Sequence, residues 1–283
     1  MKNKLQSQKL ILTLTLFLAG VSFLVYEVVW DRMLSLYLGV TVYASTIVVS
    51  AYMAGLALGA YYIGKKAGRS NNPSSFLALL LLLVGVTNTG VYFLLRLLPG
   101  IAGVWQSYTF SLASVFISAF MIGGIMPAVS RIYKNLGSSS SQSIGNTFAA
   151  DTIGSTAGGI LAGFFLLGSV GMKGSVLLMS ALNIFLAVMI LLTIGKVTAK
   201  QDNQRTDRVS ARNVSRFSGR TVMLITFITG LTGLSAQILW MRIFRIYLTN
   251  TSYTFSLIVS VVIFGYFIGS MIFKKYYSKE RDG

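Results

Sequence analysis

The sequence contains no cysteine and no histidine. The missing cysteines exclude disulfides, thiolate nucleophiles and Cys-ligated zinc, and the missing histidines exclude His-ligated zinc and haem. Histidine is also the one side chain that titrates near neutral pH without help from its surroundings. A proton-coupled step would therefore have to use one of the seven Asp and Glu residues. We expect no cofactor and no metal site.

Charged residues of either sign are few as well. They make up 11% of the 283 residues, hydrophobic residues make up 54%, and the mean hydropathy is +0.71. Because about a quarter of a water-soluble domain is charged, most of this chain's surface must contact something other than water. The net charge of +17 would suit nucleic acid, but the basic residues alternate with apolar runs, which is the pattern of a membrane protein. We expect the lipid bilayer as a partner and no nucleic-acid binding.

Eight apolar runs are each close to the length of about twenty residues that crosses the hydrocarbon core as a helix. The first run is too long for the core of a signal peptide and lacks a small-residue cleavage site, so we expect it to be retained. The predicted fold class is all-α, a polytopic transmembrane helical bundle of about eight spans. The runs lie at 10–30, 42–63, 76–97, 108–128, 147–167, 175–194, 221–240 and 253–273.

The basic residues predict the orientation of these spans. With the N-terminus in the cytoplasm, 19 of the 24 Lys and Arg residues fall on the cytoplasmic side. Such an excess marks the cytoplasmic loops of membrane proteins. We therefore expect an even number of spans and a multi-pass protein whose N-terminus and C-terminus are both cytoplasmic.

The chain also contains an internal repeat. The segment that begins at Phe17 aligns without gaps with the segment that begins at Phe227. Hydrophobic composition alone does not place Trp, Arg, Tyr and Gly in one register. Because six spans separate the two copies, both begin on the same side of the membrane, which is the parallel relation between the halves of major-facilitator transporters. The paired identities include Gly20/Gly230, Trp30/Trp240, Arg32/Arg242, Tyr37/Tyr247, Tyr43/Tyr253, Ser50/Ser260, Gly55/Gly265 and Gly59/Gly269.

The repeat divides the chain into a 6+2 arrangement of spans. Residues 1–194 form a six-helix membrane unit, and residues 221–283 form the first two helices of a second, related unit with a short cytosolic tail. Between them lies a basic cytosolic linker at 195–220. The linker either contacts anionic lipid or is a solvated segment whose charges set the topology.

Two carboxyl groups occur together near the outer end of the first predicted span. Glu27 and Asp31 share a helix face and repel each other mildly unless a cation lies between them, and Glu27 is predicted about one turn from the outer end. The pair is either an outward-facing cation or proton site, or a structural polar cluster. The structural alternative is favoured by Gln237, which replaces Glu27 in the second copy. The basic candidates for the compensating charge are Arg32, Arg242 and Arg245.

A third carboxyl group, Asp151, is predicted about one turn inside the cytoplasmic end of the fifth span, near Asn146. Ionisable groups inside a membrane are costly and usually compensated. Asp151 is either a hydrogen-bond acceptor for a neighbouring helix or a gating or coupling carboxylate.

Small residues recur at a spacing of four, which lets helices approach closely in lipid. We interpret them as helix-packing positions, and we interpret the GGIMP segment with Pro127 as a helix kink. Trp30 with Arg32 and Trp240 with Arg242 are interpreted as anchors at the outer interface, in short interfacial helices. The packing positions are Ala51, Gly55 and Gly59, Gly154 and Gly158, Gly159 and Gly163, and Gly265 and Gly269.

Four segments resemble a known family. They are YEVVWDRMLSLYLG from Tyr26, YASTIVVSAYMAGLALGAYYIGKKAG from Tyr43, GGIMPAVSRI from Gly123, and GNTFAADTIGSTAGGILAGFFLLGSVGMKG from Gly145. Together they resemble the membrane domain that precedes spermidine-synthase-like domains in bacterial proteins described as fused major-facilitator/spermidine synthases. The resemblance implies a major-facilitator-like fold in a bacterial plasma (inner) membrane. The family's soluble synthase domain has no counterpart in KKYYSKERDG after Phe273, so we expect no aminopropyl transfer, no catalytic residues and no enzyme activity.

Three hypotheses about function remain open. The first is a transporter-like module for small cationic or amine metabolites, the cargo that the resemblance implies. The second is a non-transporting membrane anchor or scaffold for a separately encoded spermidine-synthase-like enzyme. The third is the membrane fragment of a longer fused protein. A homodimer is also possible, because a two-helix second unit would leave a face exposed.

Overall fold

The computed structural model describes residues 2–39, 42–100, 103–138, 140–194, 219–247 and 252–277, and the elements within these ranges are all helices. A 3-10 turn at Leu98–Gly100 follows the third helix, and a π-helical segment at Ala162–Leu166 joins the sixth helix to the seventh. The predicted linker at 195–220 lies outside the described residues except for its last two positions. The helices are α1 (Lys2–Tyr37), α2 (Val42–Arg69), α3 (Pro73–Leu95), α4 (Val104–Gly123), α5 (Ile125–Asn135), α6 (Ser140–Leu161), α7 (Leu167–Ser169), α8 (Gly171–Thr193), α9 (Gly219–Tyr247) and α10 (Ser252–Tyr277).

These helices supply eight segments long and apolar enough to cross a membrane. The fourth span combines α4 and α5, and the fifth combines α6, the π segment and α7. The prediction of an all-α polytopic bundle of about eight spans is therefore confirmed. The spans are Leu5–Tyr37, Ser45–Arg69, Pro73–Gly100, Val104–Asn135, Ser143–Ser169, Gly171–Thr193, Gly219–Phe244 and Tyr253–Ile272.

Two helices extend well beyond the apolar runs that predicted them. Because α1 continues to Tyr37, Glu27 lies almost three turns from its outer end, and the predicted depth of one turn is wrong. Because α6 begins at Ser140, Asp151 lies about three turns inside the helix, and the prediction for this residue is wrong in the same direction. An apolar run ends at its first charged or polar residues, whereas the backbone hydrogen bonds of a helix continue through them.

The prediction of short interfacial helices around the two Trp-x-Arg segments is also wrong. Both segments lie inside long helices, Trp30 in α1 and Trp240 in α9. Trp30 is completely buried and its ring stacks on Tyr26, with ring centroids 6.1 Å apart, so it is a core residue rather than an interface anchor. Trp240 is 52% exposed, as a lipid-facing side chain would be.

The predicted kink in GGIMP is confirmed as a break between two helices. α4 ends at Gly123 and α5 begins at Ile125, with Gly124 between them. Pro127 has no N–H to donate to the preceding turn, so the hydrogen-bond ladder is interrupted here. A Cβ on Gly123 would lie 2.3 Å from the carbonyl oxygen of Leu56, so the break occurs where α4 touches α2 most closely.

Two parallel helix pairs form the body of the six-helix unit, and both rely on glycine. A Cβ on Gly59 of α2 would lie 2.0 Å from the carbonyl oxygen of Phe120 on α4. A Cβ on Gly154 of α6 would lie 2.1 Å from the carbonyl oxygen of Phe17 on α1. Gly55 and Gly158 make similar contacts in the same two interfaces, and Gly163 is buried in the π segment. The missing side chains therefore allow backbone-to-backbone contact, as small residues do in membrane bundles.

The second unit is packed much less completely. α10 packs against α6, the π segment, α1 and α9. On α9, Gln237 and Met241 are the buried side chains among those described, and most of the others are exposed. No atom of the described chain lies within 4 Å of a Cβ on Gly265 or Gly269. The prediction that these two glycines pack against another helix therefore does not hold within the described residues.

The helix ends coincide with the internal repeat. α1 ends at Tyr37 and α9 ends at its repeat partner Tyr247, while α2 begins at Val42 and α10 begins at Ser252, which the ungapped alignment pairs with Val42. The two copies thus share the positions at which their first helix ends and their second helix begins.

Candidate functional site

One face of α1 carries positions that either bear a polar side chain or contact one on a neighbouring helix. Thr13, Gly20 and Glu27 follow each other at intervals of seven residues, and Asp31 follows Glu27 one turn later. Seven residues complete almost two helical turns, so these four positions lie on one side of the helix. We call this row, with the side chains that meet it from α2, α5 and α6, the carboxyl track.

At the outer end of the track, Asp31 joins α1 to α2. The Ser45 hydroxyl of α2 donates a hydrogen bond to the Asp31 carboxylate at 2.5 Å. Both side chains are buried, Asp31 at 3% and Ser45 at 4% exposure. A hydrogen bond to a charged acceptor is shorter and stronger than one between neutral groups, so it ties the two helices together near their common turn.

Glu27, one turn further in, differs from Asp31 because its Oε1 has no hydrogen-bond partner among the described residues. Its side chain is 2% exposed. The negative charge of Asp31 also repels the negative charge of an ionised Glu27. Placing an ionised side chain at the centre of a membrane helix costs about 3 kcal/mol, and such residues mark ion or substrate pathways. Glu27 is therefore the strongest candidate for a functional carboxyl group in the described chain.

Tyr52 of α2 is the buried phenol of the track. Its side chain is 5% exposed, and the charges of both Glu27 and Asp151 act on its hydroxyl. A phenol can donate and accept a hydrogen bond. The sequence gives no signal for this residue, because a tyrosine is ordinary in an apolar span.

Asp151 of α6 meets the track at Gly20. A Cβ on Gly20 would lie 2.6 Å from the Asp151 carbonyl oxygen and 3.3 Å from its Oδ1, so the absence of a side chain gives this aspartate its place against α1. Ser155, one turn later, donates a hydrogen bond to the Gly20 carbonyl at 3.3 Å. Asp151 is partly buried. The contact lies well inside the bundle, because Asp151 is about three turns from the start of α6.

The inner end of the track is a cluster of hydroxyl groups. The Tyr133 hydroxyl of α5 hydrogen-bonds the Thr13 hydroxyl, and it donates to the Lys9 carbonyl at 3.1 Å. Nearby, Ser130 of α5 donates to Thr147 of α6 at 3.2 Å. The track therefore runs from Asp31 and Glu27 in the second half of α1, past Tyr52 and Asp151, to the hydroxyl groups beside the first half of α1.

A second polar cluster lies on a different face of α1 and is hydrogen-bonded except at the Asn183 Oδ1, which has no partner among the described residues. Asn183 of α8 donates to the Ser22 hydroxyl at 2.8 Å and to the Met179 carbonyl at 2.9 Å. Ser180 contacts the Tyr26 hydroxyl at 3.0 Å and accepts a hydrogen bond from Thr89 of α3 at 2.8 Å. These bonds hold α1, α3 and α8 together, so we assign them a structural role. The sequence signal for the cluster was the occurrence of Asn and Ser within the third and sixth apolar runs.

Not all of the other candidate residues from the sequence lie in the track. Arg32 is partly exposed and Arg242 is exposed on α9, so Arg242 is not a buried counter-charge for Glu27 or Asp31. Gln237 is buried, at 5% exposure, and Asn146 is partly buried near the start of α6. The Arg245 side chain lies outside those described. The structure thus brings Glu27, Asp31 and Asp151 to one track and leaves Arg242 outside it.

Within the described residues, no group of three or more His, Cys, Asp or Glu side chains could hold a metal ion. Two shallow surface depressions lie elsewhere, at the end of α3 beside Arg96 and at the start of α4 beside Trp105. The carboxyl groups of Glu27 and Asp31 in the track are themselves buried, at 2% and 3% exposure. The chemistry of the track is that of carboxyl, phenol and hydroxyl groups, which bind a cation or a proton.

Comparison with protein-family models, with curated proteins and with solved structures gives no match to this chain.

Proposed function

We propose that this integral membrane protein is a transporter-like module that carries a small cation along the carboxyl track. The single observation behind this proposal is Glu27, a carboxyl group at 2% exposure whose Oε1 has no hydrogen-bond partner in the described chain. A carboxyl group that served only to fix the helices would be hydrogen-bonded, as Asp31 is by Ser45. An unsatisfied one is stabilised when a cation or a proton arrives.

The order of groups along the track suggests how a cation would move. It would enter beside Asp31, neutralise Glu27, and pass Tyr52 to reach Asp151 on α6. Because Glu27, Asp31 and Tyr52 are buried, α1 must shift relative to α2 or α6 before the cation can move along the track. The contact between α1 and α6 contains no side chain at Gly20, Gly154 and Gly158. The absence of interlocking side chains at these positions favours movement of one helix along the other.

The cargo class follows from the groups in the track and from the family resemblance. Carboxylates pair with ammonium groups, and an aromatic ring such as that of Tyr52 attracts cations through its face. The resemblance to the membrane domain of spermidine-synthase-like proteins points in the same direction, toward a small cationic or amine metabolite. We place the protein in a bacterial plasma (inner) membrane with both termini in the cytoplasm, on the strength of the resemblance and of the basic residues.

The proposal is tested by flux measurements on the purified protein in liposomes. Uptake of radiolabelled putrescine and of sodium, and quenching of a pH-sensitive dye, should each be compared with empty vesicles. We expect Glu27→Gln and Asp151→Asn to reduce the active flux at least about tenfold, because removing one charge site of a pathway removes its binding energy. Asp207→Asn, which removes a carboxyl group from the linker, is the matched control and should leave the flux unchanged. Flux that survives the double variant, or no flux with any cation, would reject the proposal.

A second candidate is the membrane anchor or scaffold for a separately encoded spermidine-synthase-like enzyme. It is favoured by the enclosed track and by α9, which exposes most of its apolar side chains. The test is co-purification of this protein, tagged and expressed in its own host, with a synthase-like enzyme, followed by reconstitution of the two purified components. Recovery of that enzyme together with the absence of flux would select the anchor, and its absence from the purified sample would count against it.

A further inference from the structure

Two buried serines of α10 differ from other buried hydroxyl residues in the bundle. Ser111 of α4 and Thr156 of α6 each donate a hydrogen bond to the carbonyl oxygen one turn earlier, at 2.7 and 2.8 Å. Ser256 and Ser260 are 0% and 2% exposed, and neither hydroxyl has a hydrogen-bond partner among the described residues. A buried hydroxyl group without a partner is unfavourable, so a ligand that contacted both serines would stabilise this part of the bundle.

The two serines meet α6 at Gly159. A Cβ on Gly159 would overlap the Ser260 Oγ, and it would lie 3.5 Å from the Ser256 carbonyl oxygen. The absence of a side chain on this glycine therefore provides the space that the Ser260 hydroxyl occupies. Residues four apart on a helix have Cβ atoms about 5–6 Å apart, so the hydroxyl groups of Ser256 and Ser260 can contact one ligand.

The helix geometry of α6 changes about one turn after this glycine. The Leu167 N–H donates to the Ala162 carbonyl, five residues back, as in a π turn. Where five-residue bonds return to four-residue bonds, two carbonyl oxygens compete for one N–H, so one of them is left available. α10 packs against this π segment, and the ring centroids of Phe164 and Tyr253 are 5.4 Å apart. The contact between α6 and α10 thus combines serine hydroxyl groups with a backbone carbonyl that lacks its usual partner.

Neutral oxygen atoms of this kind suit a monovalent cation. The divalent ions Ca²⁺ and Mg²⁺ take carboxylate ligands, and softer metals take Cys and His, which the sequence lacks. Carbonyl oxygens at irregular helices coordinate Na⁺ in membrane transporters. The bundle also favours positive charge, because Glu27, Asp31 and Asp151 lie on α1 and α6, and the buried side chains of the described chain include no Lys or Arg.

We propose that Ser256 and Ser260 of α10, together with the π segment of α6, form a binding site for a sodium ion. The ion links the second unit to the six-helix unit at the contact where α10 is buried. The site uses no residue of the carboxyl track, so the inference is independent of the proposed transport function. Composition alone predicts no such site, because a serine is ordinary in an apolar run and a π segment has no recognised sequence signal.

Sodium binding to the purified protein in detergent tests the inference. We expect binding of radiolabelled sodium to saturate. The melting temperature should rise with sodium chloride but not with choline chloride at the same ionic strength, because a ligand that binds the folded state stabilises it. The double variant Ser256→Ala/Ser260→Ala loses two oxygen ligands, so its affinity for sodium should fall at least about tenfold.

Ser50→Ala is the matched control, because Ser50 is the exposed repeat partner of Ser260. It should leave the affinity for sodium unchanged. In choline chloride alone, the double variant Ser256→Ala/Ser260→Ala should be at least as stable as the unaltered protein, since it removes two unpartnered hydroxyl groups. Elution of each variant as a single species will show that it folds.

Three results would overturn the sodium site. The first is that no radiolabelled sodium binds. The second is a melting temperature that does not depend on sodium, as expected if the two hydroxyl groups contact a structural water molecule instead. The third is sodium binding that survives Ser256→Ala/Ser260→Ala but is lost in Glu27→Gln, which would assign the ion to the carboxyl track.

Discussion

At the scale of single residues, two acids of the carboxyl track differ in their hydrogen bonding. Asp31 accepts a hydrogen bond from Ser45, while Oε1 of Glu27 has no such partner in the described chain. Removing a hydrogen-bond donor from a buried carboxylate costs stability, whereas neutralising a buried carboxyl group with an unpartnered oxygen removes a desolvation cost. The two acids should therefore respond differently to substitution.

We predict that Ser45→Ala lowers the free energy of unfolding by about 1–3 kcal/mol, since it removes a hydrogen bond from the buried Asp31 carboxylate. Glu27→Gln should leave the stability unchanged or raise it, because a neutral amide is less costly to bury than a carboxylate. Thermal unfolding in detergent, followed by intrinsic fluorescence, measures both effects. Ser50→Ala, an exposed serine on the same helix, is the control. An equal loss for Ser45→Ala and Ser50→Ala would contradict the assignment.

Which residues meet in the track could be predicted only in part. Glu27, Asp31 and Asp151 stand out in the sequence because charges are rare in apolar runs. Tyr52 and Tyr133 do not stand out, since an aromatic residue is ordinary in such a run. Their roles depend on how α2 and α5 are rotated about their axes, and that rotation is set by contacts with distant helices. The same dependence explains the error at Trp30, which has the composition of an interface residue and the packing of a core residue.

At the scale of helices, the sequence predicts existence and type better than ends. All eight apolar runs correspond to spanning helices, because a backbone in lipid must satisfy its hydrogen bonds internally. The predicted runs did not reach the observed end of α1 or the observed start of α6, because the hydropathy of the sequence falls before the helical backbone ends. The break at Gly124 was predictable, because a proline without an N–H donor lies shortly after it. The π segment at Ala162–Leu166 had no recognised sequence signal.

The α2–α4 contact yields the prediction that belongs to this scale. We expect Gly59→Ala to destabilise the protein by about 1–3 kcal/mol, the usual penalty of overpacking, because the added Cβ would meet the Phe120 carbonyl oxygen, a backbone atom, at 2.0 Å. Gly90→Ala on α3 is the control, since the space there is open and alanine is a better helix former than glycine. Denaturant titration of both variants in the same detergent provides the measurement. If both variants are equally stable, α2 and α4 are not in backbone contact.

At the scale of the whole molecule, burial is distributed unevenly between the two copies of the repeat. The first copy, α1 and α2, lies within a bundle that covers the inner faces of both helices. The second copy, α9 and α10, has the same helix ends and many of the same residues, but only the first half of α10 is well covered within the described chain. Equivalent sequences therefore have different environments among the described residues.

The orientation of the molecule in the membrane is the final prediction at this scale. The basic residues between the spans predict that both ends face the cytoplasm, and eight spans require both ends to lie on the same side. A fluorescent protein that matures only in the cytoplasm should be bright when fused at either end. Alkaline phosphatase, active only outside the cytoplasm, should be inactive at both ends and active when inserted after Gly39, in the turn between α1 and α2. Opposite signals from the two ends would mean an odd number of spans. If both ends instead lay outside the cytoplasm, the carboxyl track would have the reverse orientation. Asp31 would then face the cytoplasm, and the proposed entry of the cation would become its exit.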